Sequence, residues 1–389
     1  MHTCIIRHAR IYRTPTRSFS EGDLLLRDGR IVAISDGDRL PLPADGDCEI
    51  VDVAGALVVP GLVDVHTHGR AGADFGGASD DALYTTAASY LASGVTTVLP
   101  TLASAPMDEL YTAIDRINAL AKTAESDPAL PHVAGIHLEG RYLNPAKRGA
   151  HAPTLLSPLD PDELGDVLSR IDGARHLSAA LELEGGEAFL DRALSLGATV
   201  GLGHSAADFA TASRLIGRGV TAMTHLFNAM PPLHHRDGGA VAAGLLSDKT
   251  YCELICDGVH IVPEMIKLAY TVATDRIVLI TDSMEATGCP DGEYSIAGMP
   301  VTVKDGRAVT HDGAIAGSTL SLWQAVLNLR DFADIPFERA LYAATMAPAL
   351  EIGLGDEIGS LEVGKRADLL VLDDTLTPAR VMCGGVWAR

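Results

Sequence analysis

Eight short apolar runs, each followed by a longer stretch with helical spacing, constrain this chain more than any other feature. They are GLVDVHTH (61–68), VTTVLPTL (95–102), VAGIHLEG (133–140), HLSAALEL (176–183), ATVGLGHS (198–205), AMTHLFNA (222–229), CELICDGVH (252–260) and RIVLITDS (276–283). Such runs read as strands buried on both faces, and strands alternating with helices build a parallel sheet. Eight of these units close into a (β/α)8 barrel. The expected fold is therefore α/β, with a TIM barrel over residues 57–354. The first 56 residues have a different character: CIIRHARIY, DLLLRDGRIVAIS with an Asp28-Gly29 turn, and CEIVDVAGALVV read as short strands joined tightly. Strand character returns in ADLLVLDD (367–374) and ARVMCGGVWAR (379–389). Residues 1–56 and 355–389 are expected to form a small discontinuous β-sandwich beside the barrel. The segment 291–315 follows the eighth run and is expected to be a hairpin insertion near the barrel mouth.

Composition narrows the function classes. With 389 residues, 47% of them hydrophobic, the chain can bury a large core, and a formal charge of −21 works against nucleic acid or an anionic membrane as partners. An anionic ligand would need a local basic pocket. Six cysteines are scattered without a Cys-x-x-Cys pair, MHTCIIRHAR has no signal-like segment, and no apolar run approaches the roughly 20 residues of a membrane span. The expectation is a cytoplasmic enzyme with reduced thiols.

In a barrel of this kind the side chains at the C-terminal ends of the strands converge on one mouth, where chemistry resides. Run by run, those ends carry His66 and His68, Glu139, His204, His225 and Asp282. Any one of them could be an ordinary loop residue; together they form a metal-competent set. Neutral imidazoles and a carboxylate suit Zn²⁺ or Fe²⁺, with one position left for water. A bound cation lowers the pKa of water from about 15.7 toward 7, giving a hydroxide nucleophile at neutral pH. Asp282 would then shuttle the proton, or serve as a plain ligand. One or two ions are compatible with the set. The fourth run has no lysine to carboxylate, so Glu139 is the natural bridge between two ions. Around the same mouth Arg148, Gly149, Ala150 and His151 follow the third run, Asn228, Ala229 and Arg236 the sixth, and His260 the seventh. Arg236 and His260 are the local cations that a phosphate ester would need, although Arg236 could equally pair with a nearby carboxylate such as Asp237. His234 and His235 are assigned to solvent or loop packing.

The motifs HTHG (66–69), HLEG (137–140), GAH (149–151), GHS (203–205), THLFNAMPPLHHR (224–236), DGVH (257–260), TDSMEATGCPDGEY (281–294) and AGST (316–319) together resemble the N-acetylglucosamine-6-phosphate deacetylase family of the amidohydrolase superfamily. GSLEVGKRADLLVLD (359–373) resembles the tail of the wider superfamily. The resemblance implies a barrel with a flanking β-sandwich, a homodimer, and hydrolysis of an acetamide on a phosphosugar. By the same resemblance Glu139, His204 and His225 hold the principal metal, His66 and His68 a second, and Asp282 moves the proton. Ala150, His151, Asn228, Ala229 and Asp257 would line the sugar site, with His151 polarising the acetyl carbonyl. The phosphate would sit on His260 and on Arg236 of a neighbouring subunit, and Ile315, Ala316 and Gly317 would close over the substrate through their backbone. Arg141 and Tyr142 stand where the family reads Pro-Phe, directly after a metal ligand, a departure that bears on substrate fit near Glu139. The rival reading is an amidohydrolase acting on another N-acyl substrate, such as an N-acyl amino acid or an isomeric or unphosphorylated acetamido sugar.

Overall fold

The structure is a computed structural model that describes residues 2–43, 48–311 and 313–388. Each apolar run contains a strand: β1 (Leu62–Thr67), β2 (Val95–Leu102), β3 (Gly135–Glu139), β4 (Ala174–Ala179), β5 (Thr199–Leu202), β6 (Ala222–Met223), β7 (Tyr251–Ile255) and β8 (Ile277–Ile280). All neighbours from β1 to β8 pair in parallel. The circle is nearly closed. At the seam between β8 and β1 the Asp282 N–H reaches the His66 carbonyl at 2.9 Å. Lower down, Val63 and Leu279 instead donate to the carbonyls of Ala344 and Ala343, so a loop wedges into the barrel floor.

The helices follow from capping and spacing. Helix Phe209–Arg218 starts where the Asp208 carboxylate accepts from Thr211 N–H at 2.7 Å and stops at Gly219, whose φ of 131° suits glycine. It buries Ala212, Leu215 and Ile216, the i, i+3, i+4 face. No helix among the described residues is long and apolar enough to cross a membrane, and all six cysteines are free thiols.

Both termini build one second sheet. Its order runs Val386–Trp387, Pro378–Cys383, Leu369–Leu372, Leu57–Pro60, Thr3–Arg13, Ser18–Arg27, Arg30–Ile34, with Cys48–Asp52 also on Thr3–Arg13. The expected sandwich is thus a single hydrogen-bonded sheet. Strand Thr3–Arg13 is bulged between Ile6 and Ala9, and residues from both halves, among them Cys4, Leu26, Val58, Leu369 and Met382, share one core. Strand Leu57–Pro60, placed with the barrel on sequence grounds, pairs in this sheet. The segment after β8 is a three-stranded sheet, Gly292–Ile296, Met299–Lys304 and Arg307–Thr310, with Asp312 outside the described residues.

Where sheet and barrel meet, burial and the Arg366 guanidinium pull the His132 imidazole down to about 4. Its Nδ1 has no hydrogen-bond partner among the described residues. With a folded pKa below the ordinary value of about 6.5, the unfolded chain takes up the proton first, so stability falls as pH drops from about 6.5 toward 4. Between pH 7.5 and 5 His132 should cost about 2 kcal/mol of unfolding free energy. Urea titrations of the parent and of His132→Gln check this: the parent should lose that much more than the variant, and parallel losses would contradict it.

Candidate active site

The six predicted metal-competent groups meet at one point. Glu139, at the end of β3, is the hub. Its Oε1 lies 2.9 Å from His225 Nε2, 3.1 Å from His204 Nε2 and 3.4 Å from His66 Nε2, and its Oε2 lies 2.9 Å from His68 Nε2 and 3.7 Å from His151 Nε2. Asp282 Oδ1 stands 3.4 Å from His68 and 3.6 Å from His66. All are buried. His204, His225 and Asp282 each sit at positive φ (47°, 29° and 47°), backbone strain that persists only where packing over-determines it and that clusters at functional sites.

This arrangement demands positive charge. Burial raises the carboxyl of Glu139, but the charge of His66 and hydrogen bonds from His151, His204 and His225 outweigh it and hold the group well below the usual carboxylate range. Burial alone would lower His68, yet Asp282 and Glu139 lift it to about 10. The geometry suits a cation better than protons. The Nε2 atoms of His204 and His225 lie 3.1 Å apart, so both cannot be donors toward each other, and the buried His66 Nε2 has no hydrogen-bond partner among the described residues. Convergent imidazole and carboxylate lone pairs of this kind fit a divalent metal ion. Two overlapping groups could hold one: His66, His68, Glu139 and Asp282, and Glu139, His151 and His204.

The cluster opens into a cavity of about 440 Å³. Of the residues expected to bind substrate, Ala150, His151, Asn228, Ala229, His260, Ile315, Ala316 and Gly317 line it, together with His68, Glu139, His204, His225 and Asp282. Three sets of residues lie outside the wall. Asp257 is not in the wall; it braces His260, whose Nδ1 it holds at 2.7 Å while also capping two backbone N–H groups. Arg236 is exposed and outside the cavity, with no ion pair among the described residues, as are the solvent-facing His234 and His235. Arg141 and Tyr142 also face away. The Arg141 guanidinium reaches Glu163, Ser157 and the Ala105 carbonyl, and Tyr142 Oη binds Glu163 at 3.0 Å. The departure after Glu139 is thus absorbed behind the wall.

Several residues escaped sequence reasoning. Lys147 lines the mouth and gives its carbonyl to His204 Nδ1 at 2.7 Å; it hides in PAKRGAH among better-known residues. Ile296 and Ala297 enter the wall from the hairpin turn, a long-range placement with no local signal. Ser104 carries His151: its N–H points at His151 Nδ1 (3.4 Å) and its Oγ is 3.0 Å from the same atom. The one legible sign was Glu253, a charge inside the apolar run CELIC, since a buried charge needs partners.

Comparison with known proteins extends this picture. Residues 57–388 match the amidohydrolase family. The chain belongs to that family. Among relatives of this amidohydrolase, the N-acetylgalactosamine-6-phosphate deacetylase of Escherichia coli O157:H7 is 33% identical over 381 residues, 98% of each chain. The N-acetylglucosamine-6-phosphate deacetylase of Vibrio furnissii is 36% identical over 318 residues, covering 81% of this chain and 78% of its own. The amidohydrolase also superposes on the structure of an N-acetyl-D-glucosamine-6-phosphate deacetylase variant from Mycobacterium smegmatis in complex with N-acetyl-D-glucosamine-6-phosphate. That pair has a TM-score of 0.88 and 31% identity, covering 100% of this chain and 99% of the other.

Proposed function

We propose that this amidohydrolase removes the acetyl group of an N-acetylhexosamine 6-phosphate, N-acetylglucosamine 6-phosphate in the first instance, releasing acetate and the amino sugar phosphate. The observation that carries the reading is that Asp282, the Glu139 cluster and His260 all line one cavity. A reacting amide and a phosphate can be held there at once. Relatives acting on both the gluco and the galacto isomer support the substrate class.

In this reading Glu139, His204 and His225 hold a principal divalent ion, zinc or iron, and His66 and His68 hold a second when one is present. Bound there, the ion supplies a Lewis acid for the acetyl carbonyl and acidifies water. Asp282 accepts the proton of the attacking water and returns it to the departing nitrogen. Because the Ser104 N–H donates to His151 Nδ1, the ring proton of His151 lies on Nε2, facing Glu139, from where it donates to the acetyl oxygen as negative charge develops there. Asp257 fixes the His260 ring through Nδ1, so its Nε2 is left for the phosphate. Asn228, Ala229 and Ala150 contact the sugar, and the backbone of Ile315–Gly317 closes over it. Arg236, exposed in this copy, completes the phosphate site of a second copy in a cytoplasmic homodimer.

Acetate release from the 6-phosphate against the unphosphorylated sugar, before and after chelation, tests the reading. A chelator-sensitive preference for the phosphorylated sugar is expected; equal rates on both would remove the phosphate pocket. His260→Ala should raise KM for the phosphosugar roughly 10- to 100-fold, the worth of one hydrogen bond to a charged group, with kcat little changed. An unchanged KM would take His260 out of the phosphate site.

A further inference from the structure

Beneath the imidazoles lies a second buried polar layer that the proposed reaction does not use. Its centre is Glu253 on β7, fully buried. One carboxylate oxygen, Oε2, lies 3.1 Å from His66 Nδ1 and accepts the main-chain N–H of His225 at 3.2 Å. The other, Oε1, lies 3.3 Å from His176 Nε2. The Glu253 main-chain carbonyl in turn accepts from Leu226 N–H at 2.8 Å. Glu351, also buried, rises toward this group from helix Met346–Glu351, and burial, with the charge of Glu253, pushes its carboxyl well above the usual range.

A neutral imidazole has one ring proton, and it can ligate a metal through Nε2 only when that proton sits on Nδ1. A carboxylate only accepts, so Glu253 draws the His66 proton to Nδ1. Nε2 is then the nitrogen left to ligate, facing Glu139 and Asp282 with no hydrogen-bond partner among the described residues. The other imidazoles are held differently. His204 gives its Nδ1–H to the Lys147 carbonyl, and the Nδ1 atoms of His68 and His225 are without partners. His225 is aimed instead through its backbone, which bends at a φ of 29°. Glu253 grips that bend twice, at His225 N–H and at Leu226 N–H.

We propose that Glu253 is a positioning residue of the metal centre: touching neither ion nor substrate, it selects the His66 tautomer and pins the strained turn that presents His225. The inference rests on His66 and His225 being metal ligands, as read above. It is separable from the identity of the substrate. Glutamine can replace the function in part, because its amide oxygen accepts from both His66 and His225 while its NH₂ faces His176, whose own proton can move toward Thr199 Oγ1, 2.8 Å from Nδ1. Methionine cannot accept either proton.

The test is zinc affinity by chelator competition on the parent, Glu253→Gln and Glu253→Met, with the unfolding midpoint recorded for each and the ligating and protonated nitrogens of His66 read by ¹⁵N NMR in the zinc-loaded parent. Glu253→Met is expected to weaken zinc roughly 10- to 100-fold, the usual cost of losing an outer partner of a ligand, while Glu253→Gln stays within a few-fold of the parent. A structural role alone would lower the midpoint without separating Gln from Met in affinity. Zinc binding by Glu253→Met at parental strength, or an equal loss in Glu253→Gln, overturns the proposal. If Glu253→Met does not fold, the NMR decides: His66 bound to zinc through Nε2 with its proton on Nδ1 supports it, and binding through Nδ1 or no binding by His66 overturns it. A parent that binds zinc but releases no acetate would sink the deacetylase reading and leave this one standing.

Discussion

Asp282→Asn should lower kcat by about 10³- to 10⁴-fold while leaving the fold and the metal content of the purified protein unchanged. The size follows from what general acid-base groups contribute, and from one group serving both proton transfers of the reaction. The carboxylate is poised for the first. Burial raises its pKa, but the hydrogen bond with His68 and the charge of His66 outweigh that and hold it below its ordinary value, so Asp282 is ionised at neutral pH and able to accept. Asparagine keeps the shape and the oxygen near His68 but cannot take a proton. Circular dichroism, metal analysis and steady-state rates on one preparation separate the possibilities. Turnover within tenfold of the parent would remove Asp282 from proton transfer, and loss of metal alongside turnover would make it chiefly a ligand.

Glu139→Gln should abolish tight metal binding and lower kcat/KM by roughly 10⁴-fold or more. Both oxygens of Glu139 are engaged, one with His204, His225 and His66 and the other with His68 and His151. Replacing either oxygen by an NH₂ turns a donor toward an imidazole nitrogen that should itself present a lone pair, and removes the anionic charge that balances a cation. Losing Lewis-acid catalysis altogether costs several kcal/mol of transition-state stabilisation, which sets the scale. Excess zinc should not restore the rate. Retention of stoichiometric metal with near-parental kcat/KM would mean that the ion sits elsewhere.

The barrel was readable because every strand is buried on both faces and so announces itself as an apolar run. The same rule made the ligands readable: His66, Glu139, His204, His225 and Asp282 follow their strands at the same end. What the rule could not reach was anything set by tertiary path. Leu57–Pro60 looks like the start of β1, but its partner is Leu369–Leu372, and only pairing decides that. Likewise Asp257 and Arg141 are near the site in sequence, yet their side chains turn to His260 and Glu163, because a strand end fixes where the backbone is and not where a long polar side chain finds its partner.

The terminal sheet also imposes an order on events during synthesis. Strand Leu57–Pro60 finds Arg10 and Ile11 on one side early, but its other edge must wait for Leu369–Leu372. At ribosomal speeds of about 5–20 residues per second that wait lasts tens of seconds, with an apolar edge carrying Val58 and Val59 open to other chains. Pro60, which has no N–H to offer, blunts one end of that edge in the interval. Strand Leu369–Leu372 is therefore a closing clasp, and a nascent chain stalled before it would be the species most in need of a chaperone.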